Sequence, residues 1–256
     1  MNERLDREKH YYDDLVTERS YQRRLLDRFS EGFYEKGRRG RLWSSFWKTA
    51  HLYGTVVLDY GCGEGGFSEM LADLGADVCG IDISPGLIAL ANKLTTKARN
   101  GSGGSFRFLV CDAHRTPFPD NSFDYVLGNG ALHHLDLDKA YAEIARILKP
   151  GAKSRFIEPM YHHPMLWSLR KLTPASHTMD EKPLSIADVE KAKRWFRTVH
   201  HQQHFLFSVC AAPAHLLGTG FALSVIDKLD RIDEHLMNIQ PFLRKFAWYT
   251  VLEMTK

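Results

Sequence analysis

Residues 55–67 read Thr-Val-Val-Leu-Asp-Tyr-Gly-Cys-Gly-Glu-Gly-Gly-Phe. Val56, Val57 and Leu58 form the short apolar run expected of a strand buried on both faces. Asp59 follows, and then a turn built on Gly61, Gly63, Gly65 and Gly66 that opens onto a helix expected over residues 67–74. Glycine suits such a turn because strand-to-helix reversal reaches positive φ and because a ligand there must touch bare backbone. The G-x-G-x-x-G spacing alone fits a dinucleotide site equally well.

Working outward, each following strand ends in chemistry. Residues 76–84 predict a second strand closing on Asp82 and Ile83, with Asp82 about twenty residues beyond the first loop glycine. An acid there can hydrogen-bond a ribose diol; it can also cap the helix expected over residues 85–97, although Ser84 is the better-placed cap. A third strand, 106–110, runs into Cys111, Asp112 and Ala113, where Asp112 can accept an adenine amine. A fourth, 123–127, leads to Gly128, Asn129 and Gly130. A helix over 138–148 stops at Lys149-Pro150-Gly151, and a fifth strand, 152–157, finishes at Glu158. This alternation predicts an α/β fold with a doubly wound, mostly parallel sheet, which binds ligands beyond the carboxyl ends of its strands. Asp59 bears on which ligand. A carboxylate at the mouth of the loop repels a pyrophosphate but suits an ammonium and a sulfonium, the charges of S-adenosylmethionine (SAM).

Composition bounds the rest. The chain has 256 residues, 44% of them hydrophobic, ample for one large domain. A net charge of +3 is too mild to argue for nucleic acid or an acidic membrane. Cys62, Cys79, Cys111 and Cys210 lack metal-binding spacing and read as free thiols in a reducing compartment. The charged start carries no secretory signal, so a cytoplasmic protein is expected. Leu5, Tyr12, Leu15, Tyr21, Leu25, Leu26 and Phe29 recur at roughly helical spacing, as do Leu42, Trp43, Phe46, Trp47 and Leu52. Residues 1–53 therefore predict a helical cap, packed on the sheet or acting as a lid that turns Tyr11, Tyr12, Trp43 or Trp47 toward a substrate.

The motifs together resemble the class I SAM-dependent methyltransferases over residues 55–159. Residues 59–65, DYGCGEG, resemble the family's acidic glycine motif, and residues 80–84, GIDIS, its ribose acid. Residues 111–135 are similar to its adenine-site and fourth-strand motifs, and 148–159 to its fifth-strand motif; Lys153-Ser154-Arg155 is more polar than usual there. The resemblance implies a Rossmann-like, seven-stranded sheet with an antiparallel last strand. Its cofactor residues would be Asp59, Tyr60, Gly61, Cys62, Gly63, Asp82, Ile83, Asp112, Ala113, Asn129 and Gly130, with Asn129 near the reactive sulfur. Residues 54–159 would be the SAM-binding core and 160–195 an inserted helical lid resembling that of small-molecule methyltransferases. Residues 196–256 would complete the sheet, with strands over 196–207 and 246–254. Tyr161 and His162 of the insertion join Tyr11, Tyr12 and Trp43 as expected substrate contacts.

Methyl transfer from a sulfonium is an in-line displacement, so catalysis is largely positioning, and a hydroxyl acceptor gains from a base. His133 and His134 after the fourth strand, and His163 and Glu158 around the end of the fifth, are the candidates. His200, His201, His204 and His215 read as solvated or core residues, and no metal is expected. Residues 205–226 carry no charged side chain, yet Pro213, Gly218 and Gly220 interrupt them; strand, loop and helix start is the reading, with peripheral membrane contact or a lipid-like substrate as the alternative. The leading function is methyl transfer to an O, N or C atom of a small molecule, as in secondary metabolism. The alternatives are a SAM-binding protein that does not methylate and a nicotinamide-dependent oxidoreductase. Nucleic acid is disfavoured because Asn129-Gly130-Ala131-Leu132 is not the Asn/Asp-Pro-Pro-aromatic motif of base-amine methylation. Oligomeric state is not legible.

Overall fold

The computed structural model describes residues 3–19, 41–47, 51–95, 104–172, 181–208, 210 and 219–256. Tyr21, Leu25, Leu26, Phe29, His215 and most of the glycine-rich link after residue 95 lie outside them. Seven strands, β1 (Val56–Tyr60), β2 (Asp77–Asp82), β3 (Ser105–Val110), β4 (Phe123–Asn129), β5 (Leu148–Pro159), β6 (Thr198–His204) and β7 (Tyr249–Thr255), make one sheet. Their order is β3-β2-β1-β4-β5-β7-β6. The first five strands are parallel, and β7 runs antiparallel between β5 and β6. Strand order reverses between β1 and β4, which opens a crevice beyond their carboxyl ends.

The helices are α1 (Glu3–Arg19), α2 (Arg41–Trp47), α3 (Gly66–Asp73), α4 (Pro85–Thr95), α5 (Leu137–Ile147), α6 (Pro164–Leu172), α7 (Ile186–Glu190) and α8 (Thr219–Ile239). Alternation along the strands builds a core on each face. Leu58, Tyr60, Val126, Phe156 and Leu252 pack with Tyr141 and Ile144 of α5 on one side. Val57, Leu127, Ile157 and Val251 pack with α2 and α3 on the other. Among the described residues, no helix is long and apolar enough to cross a membrane.

Four expectations are refined by the structure. The helix before β5 ends at Ile147 and the strand begins at once, so Lys149-Pro150-Gly151 is strand; Leu148 pairs with Phe123 and the register shifts before Tyr125 meets Lys153. The polar stretch of β5 has a partner: Arg155, 2% exposed, is bonded through its guanidinium to Glu253 of β7 and donates to the Phe46 carbonyl. Trp43 packs in the core rather than on an open face. It is 3% exposed, stacked on Trp47 at 6.0 Å and tilted against Phe67 at 5.9 Å, because α2 lies on the sheet face beside β5, β6 and β7. Of the outer strands, β6 spans 198–204, inside the expected 196–207, whereas β7 spans 249–255, shifted toward the carboxyl end of the expected 246–254.

Candidate active site

The glycine loop crosses the end of β2. The amides of Gly61 and Cys62 both donate to the Ile81 carbonyl, at 2.9 and 2.8 Å. Gly61, Gly63 and Gly65 have φ of +79°, +53° and +84°. A methyl group on Gly61 would sit 2.8 Å from Ala131 Cβ, so this glycine is also a close approach, whereas one on Gly63 would point into open space. The Gly63 amide donates to Asp82 Oδ2 at 3.0 Å and the Ser84 amide to Oδ1 at 2.9 Å, which fixes the plane of this carboxylate. Burial raises the Asp82 pKa against those hydrogen bonds. Ser84 itself caps α4, accepting from the Leu87 amide at 3.0 Å.

Under the loop, Asp59 is 1% exposed and accepts from Ser68 Oγ at 2.5 Å through Oδ2. Its Oδ1 and the Oδ1 of Asn129 are buried with no hydrogen-bond partner among the described residues. Burial pushes the Asp59 carboxyl up to about 7. Tyr60, expected at the cofactor, turns its fully buried ring inward and donates its hydroxyl to the Ala113 carbonyl. Asp112 Oδ1 accepts from both the His114 amide and Nδ1, each at 2.8 Å. His114 Nε2 accepts from the Asp136 amide, which places the imidazole proton on Nδ1.

Beyond β4, Gly130 turns at φ +71° and its amide donates to the Ile157 carbonyl. Glu158, fully buried, accepts from the amides of Ala131, Leu132 and His133 at 2.9, 2.8 and 3.3 Å and from His133 Nδ1 at 2.7 Å. Both carboxylate oxygens are thus committed to holding this turn, which leaves Glu158 poorly placed as a base. His133 Nε2 lies 3.7 Å from Glu181 Oε1, and burial, then the neighbouring His134, lowers its pKa. His133, His134 and Glu181 bring metal-ligand-type atoms within 4.8 Å of one another.

Helix α1 is strapped over His134. Arg4 donates to the His134 carbonyl at 2.8 Å, Glu8 Oε2 lies 3.4 Å from Nδ1, and the Tyr12 hydroxyl is in hydrogen-bond contact with Nε2 at 3.1 Å. Burial raises the Tyr12 pKa well above its ordinary value, and Glu8 adds to it, so the phenol keeps its proton and donates to Nε2. Tyr11 packs edge-on against Tyr12 at 5.2 Å. Asp13 pins the helix further, accepting from Ser84 Oγ and from the Gly86 amide at 2.9 Å. A side chain on Gly86 would collide with Asp13 Oδ1.

Tyr12 and His134, read separately from the sequence, therefore meet, and His133 and Glu158 meet beside them. Others do not. His163 is 4% exposed and hydrogen-bonds through Nε2 to the Leu206 carbonyl, beside Trp248 at 5.4 Å, so it is a buried structural residue. Burial lowers its pKa. Tyr161 and His162 line an outer groove with Lys182. His201 meets Glu190 and His204 meets Asp230, on opposite faces of β6. Arg4, Glu8, Asp13 and Glu181 were missed. Arg4, Glu8 and Tyr12 recur every four residues, a signal that puts them on one helical face.

Residues 58–156 match the family model described as a methyltransferase domain. The chain is 43% identical over 100 residues to a 2-methyl-6-phytyl-1,4-hydroquinone methyltransferase of Synechocystis, covering 38% of this chain and 30% of that protein. It is 37% identical over 105 residues to a demethylmenaquinone methyltransferase of Thermus thermophilus, covering 40% of this chain and 46% of that one. It thus spans less than half the length of these relatives. Among solved structures, phosphoethanolamine N-methyltransferase 2 of Haemonchus contortus in complex with SAM has a TM-score of 0.63 at 19% identity, over 96% of this chain and 60% of that one. At that identity the likeness speaks to the fold alone.

Proposed function

We propose that this chain, whose residues 58–156 form a methyltransferase domain of the SAM-dependent class, transfers a methyl group from SAM to a small-molecule acceptor. One observation carries the reading. At the switch point of the sheet, a positive-φ glycine cradle with open space above Gly63 sits over two buried acceptors, Asp59 Oδ1 and Asn129 Oδ1, that have no partner among the described residues. The donor set suits a cation-bearing nucleoside. Asp59 and Asn129 would take the ammonium and the region of the sulfonium, Asp82 the ribose hydroxyls, and Asp112 with Ala113 the adenine edge. Cys62 and Ile83 would wall the base.

When bound, SAM supplies a methyl group on a sulfonium, and an acceptor atom must lie in line with it. The protein's share is alignment, exclusion of water and a proton acceptor. Glu158 fixes the turn that carries His133 and His134; α1 closes over it through Arg4, Glu8 and Tyr12. The Tyr12 hydroxyl, which donates to His134 Nε2, is placed to take an acceptor's proton on its oxygen as its own proton passes to Nε2, with Glu8 backing the imidazole at Nδ1. Residues 54–159 hold the cofactor in this reading, α1 and the 160–195 insertion meet the acceptor, and 196–256 complete the sheet. The relatives named for a phytyl hydroquinone, a demethylmenaquinone and sterols favour an acceptor with a polar ring and an apolar body. Four unpaired cysteines support a reducing, cytoplasmic setting.

Asp82→Ala tests the assignment. The account expects SAM and S-adenosylhomocysteine to bind the wild-type chain with similar affinity, and the variant to bind each at least about tenfold more weakly. Unchanged affinity would overturn the cofactor placement.

A further inference from the structure

Beside the proposed site lies an exposed surface whose side chains take no part in the cofactor cradle. Pro159 pairs with Tyr249 and Tyr249 with His204, so β5, β7 and β6 meet at the same edge of the sheet as Glu158. Chain leaving this edge carries large aromatic side chains into solvent: Tyr161 is 49%, Trp167 54% and Phe242 61% exposed. Two grooves join them. One of about 700 Å³ is lined by Tyr161, His162, Lys182, Phe242 and Lys245, among others. The second, about 230 Å³, shares Tyr161 and adds Trp167, Lys171 and Pro183. The surface is therefore continuous.

Among the described groove residues, the solvent-exposed charges are lysines. Lys171, Lys182 and Lys245 are exposed, and Lys171 Nζ sits 3.6 Å over the Trp167 ring. Asp188 is the acid among the groove residues, and it is 6% exposed, engaged by Lys191 and by Ser185 at the start of α7. Exposed aromatic rings interleaved with lysines are the chemistry of the headgroup layer, where rings sit at the acyl boundary and ammonium groups meet lipid phosphates. A soluble metabolite would call for convergent buried donors, whereas these lysines are open to solvent. Phe207, 56% exposed just past the end of β6, lies in the uncharged sequence that runs from residue 205 to 226.

We propose that this face docks on an anionic membrane surface, with Trp167 and Phe242 entering the headgroup layer and Lys171, Lys182 and Lys245 binding lipid phosphates. The placement has a consequence for the adjoining site. The Lys182 amide donates to the His133 carbonyl at 2.9 Å, so the docked face abuts the histidine pair, and an amphiphilic acceptor can enter from the bilayer. Docking itself stands apart from the methyl-transfer reading and is measured without any acceptor.

The test is co-sedimentation of the full chain with vesicles of phosphatidylcholine alone and of phosphatidylcholine containing phosphatidylglycerol, at low and high salt. The inference expects binding to the anionic vesicles only, weakened by salt. Lys171→Glu with Lys245→Glu should reduce partitioning by about tenfold or more, and Trp167→Ser with Phe242→Ser by a similar factor. Lys93→Glu, on α4 across the sheet, should bind as wild type. The thermal melting temperature of each variant serves as the folding control and should stay within about 2 °C of wild type. No partitioning, equal binding to both vesicle types, wild-type behaviour of both double variants, or sedimentation without vesicles through self-association would each overturn the inference.

Discussion

Asp59→Asn isolates the strain that the site stores before any ligand arrives. Asp59 is 1% exposed, with one oxygen on Ser68 and the other unpartnered among the described residues. Burial, augmented by the charge of Asp82 and opposed by Ser68, raises its pKa from 3.8 to about 7. A carboxyl with a raised pKa binds its proton more tightly in the native state than in the unfolded one. Its contribution to stability is complete at low pH and is lost as pH climbs from the ordinary carboxylate range to about 7. A shift of about 3 units bounds that loss at about 4 kcal/mol. Asparagine does not ionise, so the variant escapes it. Even a quarter of the bound, about 1 kcal/mol, moves the Tm of a chain this size by about 2–4 °C. Thermal melts of the ligand-free protein should show the Tm difference, variant minus wild type, growing more positive from about pH 5 to about pH 8.5. Saturating SAM should erase the advantage, because its ammonium would pair with the ionised carboxylate in the wild type alone. A Tm difference that stays flat with pH, or falls, would refute the reasoning.

Tyr12→Phe removes the hydroxyl that addresses His134 while leaving the ring in place; methyl transfer should fall by about tenfold or more in kcat, with SAM affinity within about twofold of wild type and Tm nearly unchanged. Glu158→Ala strands three buried amides and His133 Nδ1, so unfolding free energy should drop by about 3 kcal/mol or more in denaturant melts; a surface-like loss under about 0.5 kcal/mol would contradict the tethering role. Trp43→Ala empties a site in the core against Phe46, Trp47 and Phe67, at a cost of about 3–5 kcal/mol, and should leave the acceptor's KM alone in whatever fraction stays folded.

What could be read from the sequence follows from range. Val56 to Leu58, the glycine turn and the acids ending β2 and β3 are local patterns, and the order of strands and helices follows from them. The glycine cradle is local for the same reason: Gly63 and Asp82 are brought together by adjacent strand ends. Partners set by tertiary contact were not readable. Arg155 makes β5 more polar than usual, and the Glu253 that pairs with it lies 98 residues away, while Asp13 caps α4 from 73 residues upstream of Gly86. Trp43 carries the same aromatic helical spacing whether it faces a lid or a core, so only its position against Phe67 decides. Glu158 ends a strand as a catalytic acid would, and its role changes once the amides of residues 131–133 are seen to converge on it.

The most direct measurement is calorimetric titration of the wild-type chain with SAM, S-adenosylhomocysteine and NAD, followed by transfer of labelled methyl from SAM to quinol and sterol acceptors. The account predicts micromolar binding of the first two ligands, none of NAD, and label in an extracted acceptor that depends on Tyr12 and His134. Binding of NAD alone would contradict the cofactor assignment, and SAM binding without transfer to any acceptor class would contradict the catalytic one.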